Sequence, residues 1–443
     1  MTRDEIGSVA SPTRRNSLYG AAGSVRSDRM GRCRGSGASQ PEARIRGGRA
    51  PGPRVPARVK ASQNPDASLD LENAPRPRVP TPRLGLELLH PYLPGRRAGS
   101  AAGSLASNEF PLGPSELVRA AVGRAAEEIH RYPDPLASEL RSTLAVEIGS
   151  DPDEILIGNG SDELIYLLVM AYAASGGTAV CASPPYRVHE IACLALGAQV
   201  TRVPMIEWRH DLAQMAAVDV DLAFICNPHN PTGTAHRREE IESFVRDSRA
   251  RLVIIDEAYI DFADDPAAMT ALPLLASGRV AVLRTFSKIG GLAGARLGYL
   301  VAAAEVVGTL RTIRPSFSVS SIAQAAGLAV LADHGYRGMV RSYTLQARDR
   351  LARLLRARGL ESVPSQANFL LVIAPDESQL VAHLETEGIS VRPGTSLGIP
   401  GTVRVSMPSE EGFRMLERAL QSLPIRGGLP PPGSPAGATS RSG

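Results

Sequence analysis

Lysine is almost missing from this 443-residue chain: of its 49 lysine and arginine residues only two, Lys60 and Lys288, are lysine. Aromatic residues are scarce, at 4%. Cysteine occurs only at Cys33, Cys181, Cys193 and Cys226, and these spacings match neither a disulfide framework nor a zinc site. Three of the four lie in apolar stretches, so they read as buried thiols in a reducing, cytoplasmic setting, and no metal site is expected. The longest uninterrupted apolar run, 164–174, is about half of what a membrane-spanning helix requires. That excludes a spanning helix, and internal repeats are also lacking.

The net charge of +4 hides an asymmetry. Residues 1–84 hold 16 Lys/Arg against 7 Asp/Glu, about +9, which leaves about −5 for the remainder. This leading segment is rich in Pro, Gly, Ser and Arg and has no apolar period, so it cannot bury enough surface to offset its ordering entropy. It is expected to be a disordered basic tail, and 425–443, with Pro430, Pro431 and Pro432, a second one. A nucleic-acid-binding arm is disfavoured because the tail has no interleaved aromatics and no reader motif. A targeting peptide fits poorly too, since Asp4 and Glu5 stand at its start and no apolar core follows.

Between the tails, strand-like and helix-like pieces alternate, which predicts an α/β fold with a mostly parallel sheet. Short apolar runs occur at 154–157, 178–182, 222–226, 252–255, 280–283 and 297–301, with helix-length amphipathic segments such as 163–174 and 238–249 between several of them. Each run ends in a polar cluster: Gly158-Asn159-Gly160, Pro184-Pro185-Tyr186, Asn227 to Gly233, Asp256-Glu257-Ala258-Tyr259, and Ser287-Lys288. Ligands of open α/β sheets bind at that carboxyl edge, so the clusters should converge.

The two lysines matter here because guanidinium stays charged in proteins, whereas an amine can lose its proton, act as a base and condense with a carbonyl. A lysine, an aspartate, an asparagine, a tyrosine and a helix amino terminus on one edge suit pyridoxal 5'-phosphate. Asp256 would pair with the pyridinium nitrogen, Asn230 and Tyr259 with the ring hydroxyl oxygen, and Tyr186 would stack on the ring. The phosphate would sit on Gly160, Ser161 and Asp162 at a helix start, with Ser287 and Arg296 completing the cradle. Each part also has a plain structural reading. Ser161 and Asp162 would serve as helix caps, Asp256 as a turn former, Tyr186 as a packed aromatic, and 290–296 as a flexible turn.

With these residues in place, the stretch 85–424 resembles the fold-type I pyridoxal phosphate aminotransferases, and within them it is similar to the histidinol-phosphate aminotransferases. The matching stretches are Pro91-Tyr92-Leu93-Pro94-Gly95, Arg131-Tyr132-Pro133-Asp134, 158–165, Asn227-Pro228-His229-Asn230-Pro231-Thr232-Gly233, Asp256-Glu257-Ala258-Tyr259, Thr285-Phe286-Ser287-Lys288 and Ala367-Asn368-Phe369. The resemblance implies a homodimer with shared active sites. It also implies a large cofactor domain (131–314) and a smaller α+β domain made of 315–424 together with part of 85–130. It places Tyr132 at the cofactor phosphate of the partner subunit, Tyr92 and Asn368 near the substrate, and Arg404 and Arg392 at the substrate's anionic end. The valines flanking Arg404 put it on the face opposite two apolar neighbours, as a strand requires.

The implied activity is ping-pong amino transfer between a small-molecule amino donor and a 2-oxo acid, with histidinol phosphate and 2-oxoglutarate as the leading pair. An aromatic or broad-range aminotransferase, a decarboxylase of an amino acid phosphate, and a non-enzymatic ligand-sensing regulator are the alternatives. Two departures bear on pocket shape: Asn108-Glu109-Phe110-Pro111 where the family has Asn-Glu-Asn-Pro, and the glycine-rich Ile289-Gly290-Gly291 after the lysine.

Overall fold

The computed structural model describes residues 98–423 together with Leu86 and Leu89. The two expected tails and Tyr92 lie outside the described residues. A seven-stranded sheet carries strands β1 (Ile155–Gly158), β2 (Thr178–Ser183), β3 (Gln199–Pro204), β4 (Leu222–Cys226), β5 (Leu252–Asp256), β6 (Val280–Thr285) and β7 (Gly298–Ala302), in the order β1-β7-β6-β5-β4-β2-β3. The six apolar runs became strands within a residue or two of their expected limits. Strands β4, β5 and β7 are buried along their whole length, because helices cover both faces of this mostly parallel sheet and leave no polar side. β3 had no such signal. It is an edge strand, exposed at four of its six positions.

The one departure from parallel pairing sets the geometry of the site. β7 runs antiparallel to both β1 and β6, with Gly298 opposite Gly158 on one side and Thr285 on the other. Its amino end therefore lies at the same sheet edge as the carboxyl ends of the other strands. The residues just before β7 are thereby inserted between the loops that follow β1 and β6.

Local chemistry sets the helix ends. In α1 (Glu116–Glu127) the Ser115 side chain accepts the N–H of Val118 and Glu116 occupies the first turn, both favourable at an amino terminus. α2 (Ser138–Ile148) follows, then α3 (Gly160–Tyr172) directly after β1, and α4 (Arg187–Leu196), which stops at Gly197 with φ 84°. The run 164–174 is therefore largely the buried helix α3 packed on the sheet.

A second, four-stranded antiparallel sheet holds β8 (Ser362–Val363), β9 (Phe369–Ile373), β10 (Arg392–Pro393) and β11 (Thr402–Ser406), in the order β10-β11-β9-β8. Leu105 joins its core, with Leu105 N–H donating to Ser390 O and Ser406 N–H to Leu105 O. An early segment thus packs beside the late part of the chain. One expected boundary does not follow the packing. α1 and the helix Ser321–Ala332 share an apolar cluster with β1 and β7, so the large-sheet core continues past residue 314. The core changes along the following helix, His334–Arg356, whose Ala347, Leu351 and Leu355 pack with the second sheet.

Candidate active site

The strand-end clusters do converge. Ser161, Asp162, Tyr186, Asn230, Asp256, Tyr259, Ser287, Lys288 and Arg296 all line one cavity of about 270 Å³ at the carboxyl edge of the large sheet.

Asp256 is the last residue of β5 and is 1% exposed. Its Oδ1 accepts the N–H of Ala258 at 3.1 Å, and its Oδ2 lies 3.1 Å from His189 Nε2. His189 stacks on Phe224 with ring centroids 4.6 Å apart and belongs to the first turn of α4. The next residue, Glu257, turns away from the cavity. It binds Arg284 at 2.8 Å and Thr270 at 3.0 Å in a buried structural pair.

Lys288 follows β6 by three residues, and its Nζ donates to Ser107 O at 3.3 Å. Burial, and after it the Arg404 guanidinium, push the amine down to about 8. A low-dielectric site and a like charge both disfavour the ammonium form. Roughly a tenth of this amine is therefore free base at pH 7, where an ordinary lysine has well under a thousandth. Thr285 Oγ1 donates to Ser287 Oγ at 3.0 Å and fixes that hydroxyl beside the lysine.

Opposite them is the amino end of α3. Its N-cap Asn159 makes no side-chain cap bond, so neither Ser161 nor Asp162 caps the helix. The Asp162 carboxylate accepts from Tyr186 Oη at 3.1 Å and from Arg296 Nη2 at 3.0 Å. Burial and this carboxylate keep the Tyr186 hydroxyl protonated well above its usual range. Gly160, at φ +74°, has Arg296 against it: a Cβ there would lie 2.7 Å from Arg296 Nη2. A Cβ on Gly298 would lie 2.6 Å from the Ser161 nitrogen. The two glycines let the Arg296 guanidinium and the open helix terminus share one concave patch of donors. Hydroxyls, backbone N–H groups and a guanidinium on one wall, with an aspartate and a depressed lysine amine on the others, fit a phosphorylated pyridine aldehyde.

Tyr259 and Asn230 form a hinge of hydrogen bonds to the second sheet. Tyr259 Oη accepts from Asn230 Nδ2 at 3.3 Å and from Asn108 Nδ2 at 3.0 Å, and burial raises its hydroxyl to about 12. Arg404, 7% exposed, donates to Asn230 Oδ1 and to Ala106 O, each at 2.7 Å. Arg392 stands directly opposite Arg404 in the β10–β11 pair, which puts both side chains on one face of that sheet. Both line a larger cleft of about 750 Å³, which shares Lys288, Tyr186, Asn230 and Tyr259 with the inner cavity. The two spaces are therefore continuous.

Other expected residues are placed differently. Asn368 lines neither space; its Nδ2 donates to Asn108 O at 3.0 Å, so it supports Asn108 from behind. Tyr132 is 82% exposed and stacks on Phe317 with centroids 4.6 Å apart, away from the cavity of its own chain. Phe110 does not shape the pocket either. It is buried edge-on against Tyr336 and Tyr343 at 6.2 and 5.9 Å. The glycine-rich turn is close-packed: a Cβ on Gly290 would meet Phe286 O at 2.6 Å, and one on Gly291 would meet Tyr336 Oη at 2.7 Å.

Sequence reasoning missed His189 and Asn108. A histidine on an apolar helix is a weak signal by itself. Asn108 adopts φ 55°, a backbone that asparagine tolerates better than most residues. Among the described residues no helix is long and apolar enough to cross a membrane, and no group of three or more His, Cys, Asp or Glu is arranged to hold a metal ion.

Histidinol-phosphate aminotransferase of Moorella thermoacetica is 35% identical over 367 residues, covering 80% of this chain and 95% of that protein. Histidinol-phosphate aminotransferase 2 of Pseudomonas fluorescens is 38% identical over 364 residues, covering 77% and 97%. The crystal structure of histidinol-phosphate aminotransferase from Sinorhizobium meliloti in complex with pyridoxal-5'-phosphate superposes with a TM-score of 0.67 at 27% identity, covering 74% of this chain and 93% of that one. Residues 103–423 match the family aminotransferase class I and II, and the chain belongs to that family.

Proposed function

We propose that this protein is a pyridoxal phosphate-dependent aminotransferase that moves the amino group of histidinol phosphate to 2-oxoglutarate, as the names of its curated relatives suggest. One observation carries the reading. The depressed amine of Lys288 and the carboxylate of Asp256 share a cavity that opens into a cleft walled by Arg392 and Arg404.

When bound, the cofactor supplies an electron sink for the charge left when the donor's α-proton departs. The chain's residues do the rest. Asp256, oriented by His189 and the Ala258 N–H, would hold a proton on the pyridine nitrogen. Ser161, Ser287, Arg296 and the N–H groups of α3 would hold the phosphate. Tyr186 would cover the ring. Asn230 and Tyr259 would hold the ring oxygen, and Asn230 is in turn bound by Arg404. The Nζ of Lys288, low in proton affinity, would be the base that takes the donor's α-proton. Arg404 and Arg392 hold the anionic end of the donor, which sets the α-carbon within reach of that amine.

The exposed stack of Tyr132 on Phe317 supports a homodimer in which Tyr132 serves the neighbouring subunit's phosphate site. A cytoplasmic setting agrees with the buried free thiols of Cys181, Cys193 and Cys226. The deciding experiment mixes the pyridoxal form with single amino donors and follows conversion of the cofactor spectrum. Histidinol phosphate should react fastest, and a tenfold preference for phenylalanine would assign the protein to aromatic substrates instead.

A further inference from the structure

The segment that accepts from Lys288 carries a carboxylate of its own. Glu109 and Ser107, on either side of Asn108, both line the inner cavity. Asn108 is 1% exposed and has a left-handed backbone, φ 55°. Its N–H donates to Ser406 Oγ at 2.8 Å and its Oδ1 accepts from the same hydroxyl at 3.1 Å. Its Nδ2 donates to Tyr259 Oη, and its carbonyl accepts from Asn368 Nδ2. A non-glycine residue keeps such a backbone only where its surroundings over-determine it, and these hydrogen bonds do so. Ser107 and Glu109 are therefore presented to the cavity by a rigid element. Ser107 O accepts from Lys288 Nζ at 3.3 Å. Glu109 acts on the same amine: burial and the Arg404 guanidinium push its proton affinity down, and the largest influence in the opposite direction is the Glu109 carboxylate, ahead of Asp162.

An exposed glutamate on a loop is ordinarily a solvated surface charge. This one borders the reacting amine, and Asp256 and Asp162, which line the same cavity, are already engaged, the first by His189 and the Ala258 N–H, the second by Tyr186 and Arg296. Once the cofactor engages the Lys288 nitrogen, the next cation to reach this end of the cavity is the ammonium of the donor. We propose that Glu109 is a substrate-binding residue that receives the ammonium group of the amino donor beside Lys288. This rests on the amino-transfer reading given above. The physical reason is orientation. A donor held by its anionic end alone swings about that anchor, whereas a charge-assisted hydrogen bond at its cationic end fixes a second point and sets the amine in place. The two ends differ in sign, so the contacts also fix which way round the donor binds. A 2-oxo acid has a carbonyl where the donor has its ammonium and makes no such contact. Glu109 therefore serves the donor and not the acceptor.

The test follows the cofactor spectrum in single half-reactions of wild type, Glu109→Gln and Glu109→Asp. The pyridoxal form is mixed with histidinol phosphate or glutamate, and the pyridoxamine form with 2-oxoglutarate. Glutamate and 2-oxoglutarate differ at one carbon, ammonium against carbonyl. In Glu109→Gln the half-saturating concentration of the donors should rise about tenfold to a hundredfold, as loss of a charge-assisted hydrogen bond implies, while that of 2-oxoglutarate stays within twofold. Glu109→Asp should fall between. In the cofactor-free protein, the pH dependence of Lys288 labelling should show its amine lowered further by Glu109→Gln, because an opposite charge is removed. Equal rises for donor and acceptor, a rise below twofold for the donors that wild type converts, or an unshifted Lys288 amine would overturn the role of Glu109. A wild type that converts glutamate but not histidinol phosphate would overturn the choice of donor, and Glu109 is then judged on glutamate. A wild type that converts neither would overturn the amino-transfer reading and this assignment with it.

Discussion

On the large-sheet wall of the cleft, several polar groups are held by neighbours: Asp256 by His189 and the Ala258 N–H, Asp162 by Tyr186 and Arg296, and Ser287 by Thr285. On the opposite wall, Arg392 and Arg404 stand side by side on one sheet face. The first wall is preorganised for a single chemistry whatever the donor. The second presents the two guanidiniums proposed to meet the donor. Changes on the first wall should therefore lower kcat for all donors, and changes on the second should act through KM and on some donors more than others.

The largest effect is expected at Lys288. Lys288→Ala should lower steady transamination at least a thousandfold for every donor, as removal of a general base that also holds the cofactor implies; stopped and steady-state assays measure it. Asp256→Asn should cost about a hundredfold in kcat/KM, again for every donor, because a buried charged partner is lost. Arg404→Gln should act by about tenfold to a hundredfold, mostly through KM. It should also raise the Lys288 amine in the cofactor-free protein, since the Arg404 charge is one cause of its depression to about 8. A pH-dependent labelling rate of that lysine reads the shift directly. The sign follows from linkage: the folded state binds the proton more weakly than the unfolded, so burial of Lys288 destabilises the cofactor-free protein fully below pH 8. The cost fades as pH rises toward the ordinary lysine range. Gly160→Ala should weaken cofactor binding about tenfold, because a left-handed residue and a Cβ against Arg296 are both strained. The smallest effect on donor choice is expected from Phe110→Asn. It should lower Tm by opening a buried aromatic cluster while leaving the ratio between donors unchanged.

That last prediction marks the limit of what the sequence made legible. Central strands such as Leu222–Cys226 and Leu252–Asp256 announced themselves as unbroken apolar runs because both of their faces are covered. The polar residues just beyond them pointed to the site. β3 was invisible because an exposed edge strand has no apolar run to show. β8 and β10 are two residues long, too short for any period. Phe110 sits in a motif next to cavity residues, yet its side chain points into the core, a direction that no motif encodes. His189 is three residues past Tyr186, on a helix whose burial only tertiary packing reveals. The antiparallel insertion of β7, which places Arg296 between the loops after β1 and β6, is a topological fact that composition does not carry.

The scarcity of lysine makes the decisive measurement unusually clean. Borohydride reduction of the pyridoxal-loaded protein, followed by peptide mass spectrometry, has only two side-chain amines to report on. The pyridoxal mass on the peptide containing Lys288, and its loss from that peptide in Lys288→Ala, is the result this account predicts. A label on Lys60, or none on Lys288, would contradict it.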